Sequence, residues 1–275
     1  MKKYSLYLMG FLLFAISCDE ICTHIPPPVI VEDDRVIMIE ELTGVNCTPC
    51  AAAAAILEDI IENADGAVVA YGIHGLRQSE PIEGSKYDFR NEDAEELESY
   101  LIDLGKPAAS FNRTEESPTT GSLVHGPTVW QAIVDQELIK PQVADVKITS
   151  NYDTDSRRVD ITVDVTSLEN ITGEINLVVA ISESDLIDPQ SSPDGNILDF
   201  KHKHVLKELL TPILGIPISN DGLMIGDPVD SRFSYTIPAE LNGEWIPENM
   251  EITAFITADD RNGEIQQAAQ IHLTE

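Results

Sequence analysis

Two cysteines stand two residues apart in the stretch ELTGVNCTPCAAAAAILEDIIENADG, and the whole chain has only four. Cys47 and Cys50 could form a working dithiol, a metal clamp or a structural disulfide. RVIMIEEL ahead of them reads as a strand. CAAAAAILEDIIENADG reads as a helix, because Ala and Leu are strong helix formers and Gly66 is a stop signal. At a helix start, free amides and the helix dipole stabilise a thiolate, so Cys47 is placed to be a nucleophile of lowered pKa. Cys50, one turn in, can resolve a mixed disulfide. Pro49 is tolerated in a first turn, where its missing N–H has no intrahelical acceptor to lose. The run Ala51 to Ala55 keeps the helix slim enough to pack closely on a sheet.

The competing chemistries fit less well. The Cys-x-x-Cys spacing suits zinc, but a structural zinc site needs four ligands and no second pair exists. His74 ends the strand AVVAYGIH and is a candidate third ligand or acid–base group, with a polar strand-end role as the plainer reading. His202 and His204 would share one strand face, yet no carboxylate partner is visible beside them. His125 and His272 read as solvated. The acidic loops SPDGN, SNDG and DDRNGE miss the full calcium-loop pattern and read as hairpin turns. No Gly-rich phosphate loop occurs, and neither a metal nor a cofactor is expected. With 17 basic and 48 acidic residues the formal charge is −31. That excludes a nucleic-acid partner, since a phosphate backbone needs a basic face.

The elements that position these residues fall into two patterns. Residues 35–142 alternate strand and helix: after AVVAYGIH come the helix NEDAEELESYLIDLG, the short strand PAASFNR and the helix PTVWQAIVDQELI. Such alternation predicts a parallel sheet. Residues 143–275 change to period two. Val159, Ile161, Val163 and Val165 share one face of RRVDITVDVTS, which predicts an antiparallel β-sandwich. ILDFKHKHVLKELLTPILGIPI reads less clearly, as a long strand with an excursion.

The beginning of the chain sets its address. MKKYSLYLMGFLLFAISCDE has Lys2 and Lys3, then an apolar run from about Leu6 to Ile16. That run is too short to span a bilayer and fits a signal peptide over residues 1–17. Small residues precede Cys18 and acidic ones follow it, which resembles a bacterial lipoprotein signal. The resemblance implies lipidation of Cys18 and a membrane anchor there. Residues 18–34, with three successive prolines and several acids, read as an extended tether carrying the odd thiol Cys22.

VIMIEELTGVNCTPC resembles the active-site strand and helix start of the thioredoxin superfamily. More narrowly, the Glu-Glu-Leu-Thr-Gly lead-in, FNR and HKHVLK are similar to the twenty-eight-kilodalton outer-membrane-protein-related lipoproteins. That resemblance implies an α/β thioredoxin-like domain followed by an all-β immunoglobulin-like or fibronectin-like sandwich, lipid-anchored at the outer membrane. It implies thiol–disulfide exchange, with the thiols or disulfides of extracytoplasmic proteins as partners. Cys47 then matches the nucleophile, Cys50 the resolving thiol and Glu41 the buried acid that relays a proton. Pro107 matches the cis proline facing the dithiol, and with Lys106 it would bind substrate. Asn46 departs from the usual tryptophan before the first cysteine, and a fourth strand is hard to find near SPTTGSLVHG. The alternative is a surface adhesion or binding module whose disulfide is a local staple. Exposure of Cys47 separates the two: open for exchange, buried for a staple.

Overall fold

Local sequence accounts for most elements of the computed structural model, which describes residues 35–101, 105–115, 122–239, 244–258 and 263–274. The signal segment, Cys18, Cys22 and the tether lie outside the described residues. The first half is β1 (Ile37–Leu42), α1 (Cys50–Asn63), β2 (Val68–Ile73), α2 (Glu92–Leu101), β3 (Ala108–Phe111) and α3 (Trp130–Glu137). Every residue of β1 and β2 is buried, as their nearly unbroken apolar runs require. The second half comprises β4 (Ala144–Asp153), β5 (Arg158–Ser167), β6 (Ile175–Glu183), β7 (Leu186–Gln190), β8 (Ile197–His202), β9 (Val205–Leu209), β10 (Ile216–Ser219), β11 (Pro228–Thr236), β12 (Met250–Ala258) and β13 (Ile265–His272).

β1 and β2 are parallel, in register from Ile37 opposite Val68 to Leu42 opposite Ile73. β3 departs from the expected parallel arrangement and runs antiparallel to β1, starting with Ala108 opposite Leu42. β3 starts at the end of the sheet where β1 and β2 stop, since Ile73 and Ala108 both lie opposite Leu42. The elusive fourth strand is reduced to a single bridge in which Ala109 and His125 exchange backbone hydrogen bonds of 3.0 and 2.9 Å. His125 is therefore buried, not solvated.

Val159, Ile161, Val163 and Val165 do face inward, packing with Leu177, Val179, Ile252 and Ala254 between two sheets. One sheet is β11-β5-β4; the other runs β13-β12-β6-β9-β2-β1-β3. The unclear middle segment explains that second order. β9 inserts between β6 and β2, with Val205 opposite Gly72, so one sheet passes from the first half into the second. A core of Met38, Tyr71, Leu97, Val178 and Phe255 draws on both halves.

The FNR segment locks this junction. Asn112 and Arg113 both adopt positive φ, 50° and 53°, a conformation that costs a non-glycine residue energy and is held only by its surroundings. Arg113 is fully buried; Nε and Nη2 donate to the two carboxylate oxygens of Glu40 at 2.9 and 2.7 Å. Tyr71 donates its hydroxyl to the same carboxylate at 2.6 Å. Nη1 donates to the Ile213 carbonyl at 3.0 Å, and the guanidinium lies 5.3 Å from the Phe255 ring. Truncating one member of such a pair strands a buried charge. Arg113→Met is therefore expected to lower stability by about 3–5 kcal/mol, and adding Glu40→Leu to recover part of it. Urea unfolding measures both; an equal loss in single and double variants would contradict the stranded-charge explanation.

Candidate functional site: a covered disulfide beside a cleft

Cys47 and Cys50 form a disulfide in the turn between β1 and α1. Two backbone bonds shape that turn, Cys47 N–H to Gly44 O at 3.0 Å and Cys50 N–H to Cys47 O at 3.1 Å. Cys47 is 0% exposed and Cys50 1%. Two distant segments bury them. On one flank Asn46 N–H donates to Gln78 O at 2.9 Å. The fit is so close that a Cβ on Gly44 would lie 2.3 Å from that oxygen, so only glycine is accepted. On the other flank the Gln190 side-chain amide donates to Gly44 O at 3.1 Å and to Cys47 O at 3.0 Å. Ser191 N–H then donates to Val45 O at 2.8 Å. No local signal near the cysteines announces this cover, because it arrives from the loop after β2 and from the β7–β8 hairpin.

The Lys106–Pro107 peptide bond is cis. Ala108 opposes Leu42, so the cis bond sits at the same sheet end as the cysteine turn. Lys106 does not reach outward as a substrate-binding group. Its ammonium meets Glu98 Oε2 at 2.9 Å, Arg77 O at 2.7 Å and Ser79 Oγ at 2.9 Å. Those contacts use the three donors of a lysine. Burial lowers its pKa, while Glu98 works in the opposite direction.

On the Cys50 side lies a partly open cleft of about 250 Å³, lined by Glu41, Cys50, Ala51, Ala54, His74 and His202, with Cys47 outside its lining. The alanines of α1 leave this space. Glu41 is opposite Gly72 on β2. Burial pushes Glu41 up to about 7; His204 and Lys106 oppose the shift and Glu58 adds to it. Its Oε1 has no hydrogen-bond partner, nor do His74 Nδ1 and His202 Nε2. Burial also drives His74 well below the ordinary imidazole range and His202 down to about 4, so both rings are neutral. They pack with Phe89 and Phe200, His202 lying 4.9 and 4.8 Å from those rings. His204 stands apart from this pair. Burial disfavours its charge, but a hydrogen bond to Glu58, 3.4 Å away, is among the contacts that raise its pKa. Among the described residues, no three His, Cys, Asp or Glu side chains are placed to hold a metal.

Glu41 makes stability depend on pH. Its folded pKa exceeds the ordinary value of 4.5, so between about pH 4.5 and 7 the folded protein keeps a proton that the unfolded chain has released. Stability then falls as pH rises through that window. Glu41→Gln should be more stable than the parent at pH 8 by up to about 3 kcal/mol, and no different near pH 4. Denaturant unfolding at both values tests this; a variant less stable at pH 8 would mean that Glu41 is ionised and well bonded.

Among solved structures, HBP35 of Porphyromonas gingivalis aligns with a TM-score of 0.64 at 15% identity, over 88% of this chain and 76% of that one. Protein AGR_C_4864 from Agrobacterium tumefaciens aligns with a TM-score of 0.53 at 14% identity, over 88% and 96%. At such identities the likeness is one of fold alone. A domain of the outer membrane lipoprotein Omp28 from Porphyromonas gingivalis gives only 0.32 at 17% identity, over 47% and 87%, too slight to argue from. No curated protein matches. The family profile described as outer membrane protein Omp28 matches residues 94–274, well over half the chain, beginning beyond Glu41 and both cysteines of the turn. The chain belongs to the Omp28 family of outer membrane proteins.

Proposed function

We propose that this is an envelope binding or adhesion protein, lipid-anchored through Cys18, in which a thioredoxin-like first half serves as scaffold. The Cys47–Cys50 disulfide is its structural staple. Family membership puts the protein in the cell envelope, at the outer membrane. The observation that carries the staple reading is the complete burial of Cys47. A thiol must reach a sulfur to exchange with it, and the protein's own segments around Gln78 and Gln190 fill both flanks of the turn. Lys106, beside the cis proline, is likewise committed within the protein.

Thiol–disulfide exchange on extracytoplasmic proteins is the second reading. It is favoured by the cis bond at Pro107 and by Glu41, a carboxyl with a pKa of about 7 in the cleft that Cys50 also lines. A group so poised suits proton transfer near neutral pH. In this reading the segment holding Gln190 and Ser191 must lift away before a protein thiol can attack Cys47.

Two experiments separate the readings. A Cys50→Ser variant leaves Cys47 without its resolving partner; it should capture no envelope protein in disulfide-linked form on non-reducing gels. Discrete, reducible complexes through Cys47 would overturn the staple. Replacing both cysteines with alanine should cost about 2 kcal/mol, the entropy of closing so short a loop. Unchanged or increased stability in denaturant titrations would speak for an exchange site.

A further inference from the structure

We propose that the cleft beside α1 binds one small, uncharged aromatic molecule carrying a hydroxyl or N–H donor, a simple phenol being the plainest example. This goes beyond the staple reading and stands whichever way the cysteines act. Shape selects the body of the ligand. Cys50, Ala51, Ala54 and Leu57 line the cleft from α1, where the alanines leave a shallow wall, and Phe200 on β8 adds an aromatic ring. An apolar cavity of roughly 150 Å³ takes a benzene ring, so about 250 Å³ holds one ring with a polar substituent. Charge selects against ions. The charged groups at the cleft are matched among themselves: Lys203 and His204 both reach Glu58, and Lys201 meets Asp185 at 3.0 Å.

Unmet hydrogen bonding selects the substituent. Glu41, His74 and His202 line the cleft and are more than nine-tenths buried. Each holds one polar atom without a hydrogen-bond partner among the described residues: Glu41 Oε1, His74 Nδ1 and His202 Nε2. A buried polar atom left unpaired is costly, so a ligand that pairs it gains affinity beyond apolar contact. Both rings are neutral, and each is hydrogen-bonded to backbone, His74 at Gly72 and His202 at Asp188 and Pro189. The ring proton therefore lies on the bonded nitrogen, and the free nitrogen presents a lone pair. A lone pair calls for a donor. The protein does not spare one from Gln190, which also lines the cleft, because its amide is spent on the Gly44 and Cys47 carbonyls. A metal ion is the other species that such lone pairs attract, but no three of these side chains among the described residues are placed to hold one. An organic molecule makes use of wider spacing.

The test titrates the folded, oxidised protein at neutral pH with phenol, anisole and toluene, following backbone amide shifts by NMR. Phenol is expected to bind with a Kd of about 1 mM or tighter, shifting the amides of α1 and of residues 200–204. Anisole keeps the ring and the oxygen but has no donor, and toluene has neither oxygen nor donor. Both should bind at least about tenfold more weakly, because they leave the imidazole nitrogens unpaired. His74→Phe and His202→Phe each keep a ring and remove one acceptor; at least one of them should erase the preference for phenol. Ala54→Phe, which fills the cleft, should abolish binding, and Ala55→Phe at the exposed rim provides the same block with less risk to folding. Equal affinity for the three ligands would reduce the cleft to an apolar hole and overturn the proposal. So would shifts confined to other elements, no binding of phenol, a preference that survives both histidine variants, or unchanged binding with the cleft filled. Capture of proteins through Cys47 would sink the staple and leave this site standing.

Discussion

The buried ion pair between Arg113 and Glu40 is the constraint on which the rest depends. Neither charge has access to water, so each needs the other and every further partner the fold supplies. Those partners come from far apart in sequence: Tyr71 on β2, the Ile213 carbonyl, and the ring of Phe255 on β12. Satisfying one guanidinium therefore requires the first half and the second half to be assembled together. The positive φ of Arg113 is the local cost of aiming the side chain inward. Only the complete junction offsets it.

That junction decides the chemistry of the cysteines. With β9 inserted beside β2, the chain of the second half passes close to the β1–α1 turn. The β7–β8 hairpin then lies over Cys47, and the amide of Gln190 holds the turn's carbonyls. A Cys-x-x-Cys at the head of a helix has the local chemistry of a reactive thiol. Here tertiary packing overrides it: both cysteines are buried, and Gln190, which holds the turn, also lines the neighbouring cleft.

Much of this was legible in the sequence. β1, α1, β2, α2 and the alternating face of β5 follow from periodicity and helix stop signals, which act over a few residues. The cis bond before Pro107 and the inward carboxyl of Glu41 followed from the resemblance and from strand alternation. What escaped depends on contacts between distant segments. The reversed direction of β3, the insertion of β9, the burial of His125 and the capture of Lys106 by Glu98 leave no periodic trace. Burial of Cys47 belongs with them, since the Gln190 side of its cover lies more than a hundred residues away in the chain. Gln190 carried no signal at all: a single amide in DPQSS looks like any loop residue.

The most direct test of the sealed disulfide is its reduction potential, measured by equilibrating the folded protein with graded dithiol buffers. A structural bond held by this packing should lie below about −300 mV, resistant to the glutathione pool. A value between about −270 and −120 mV, the range of working exchange proteins, would contradict the staple. It would place Cys47 and Cys50 among catalytic dithiols.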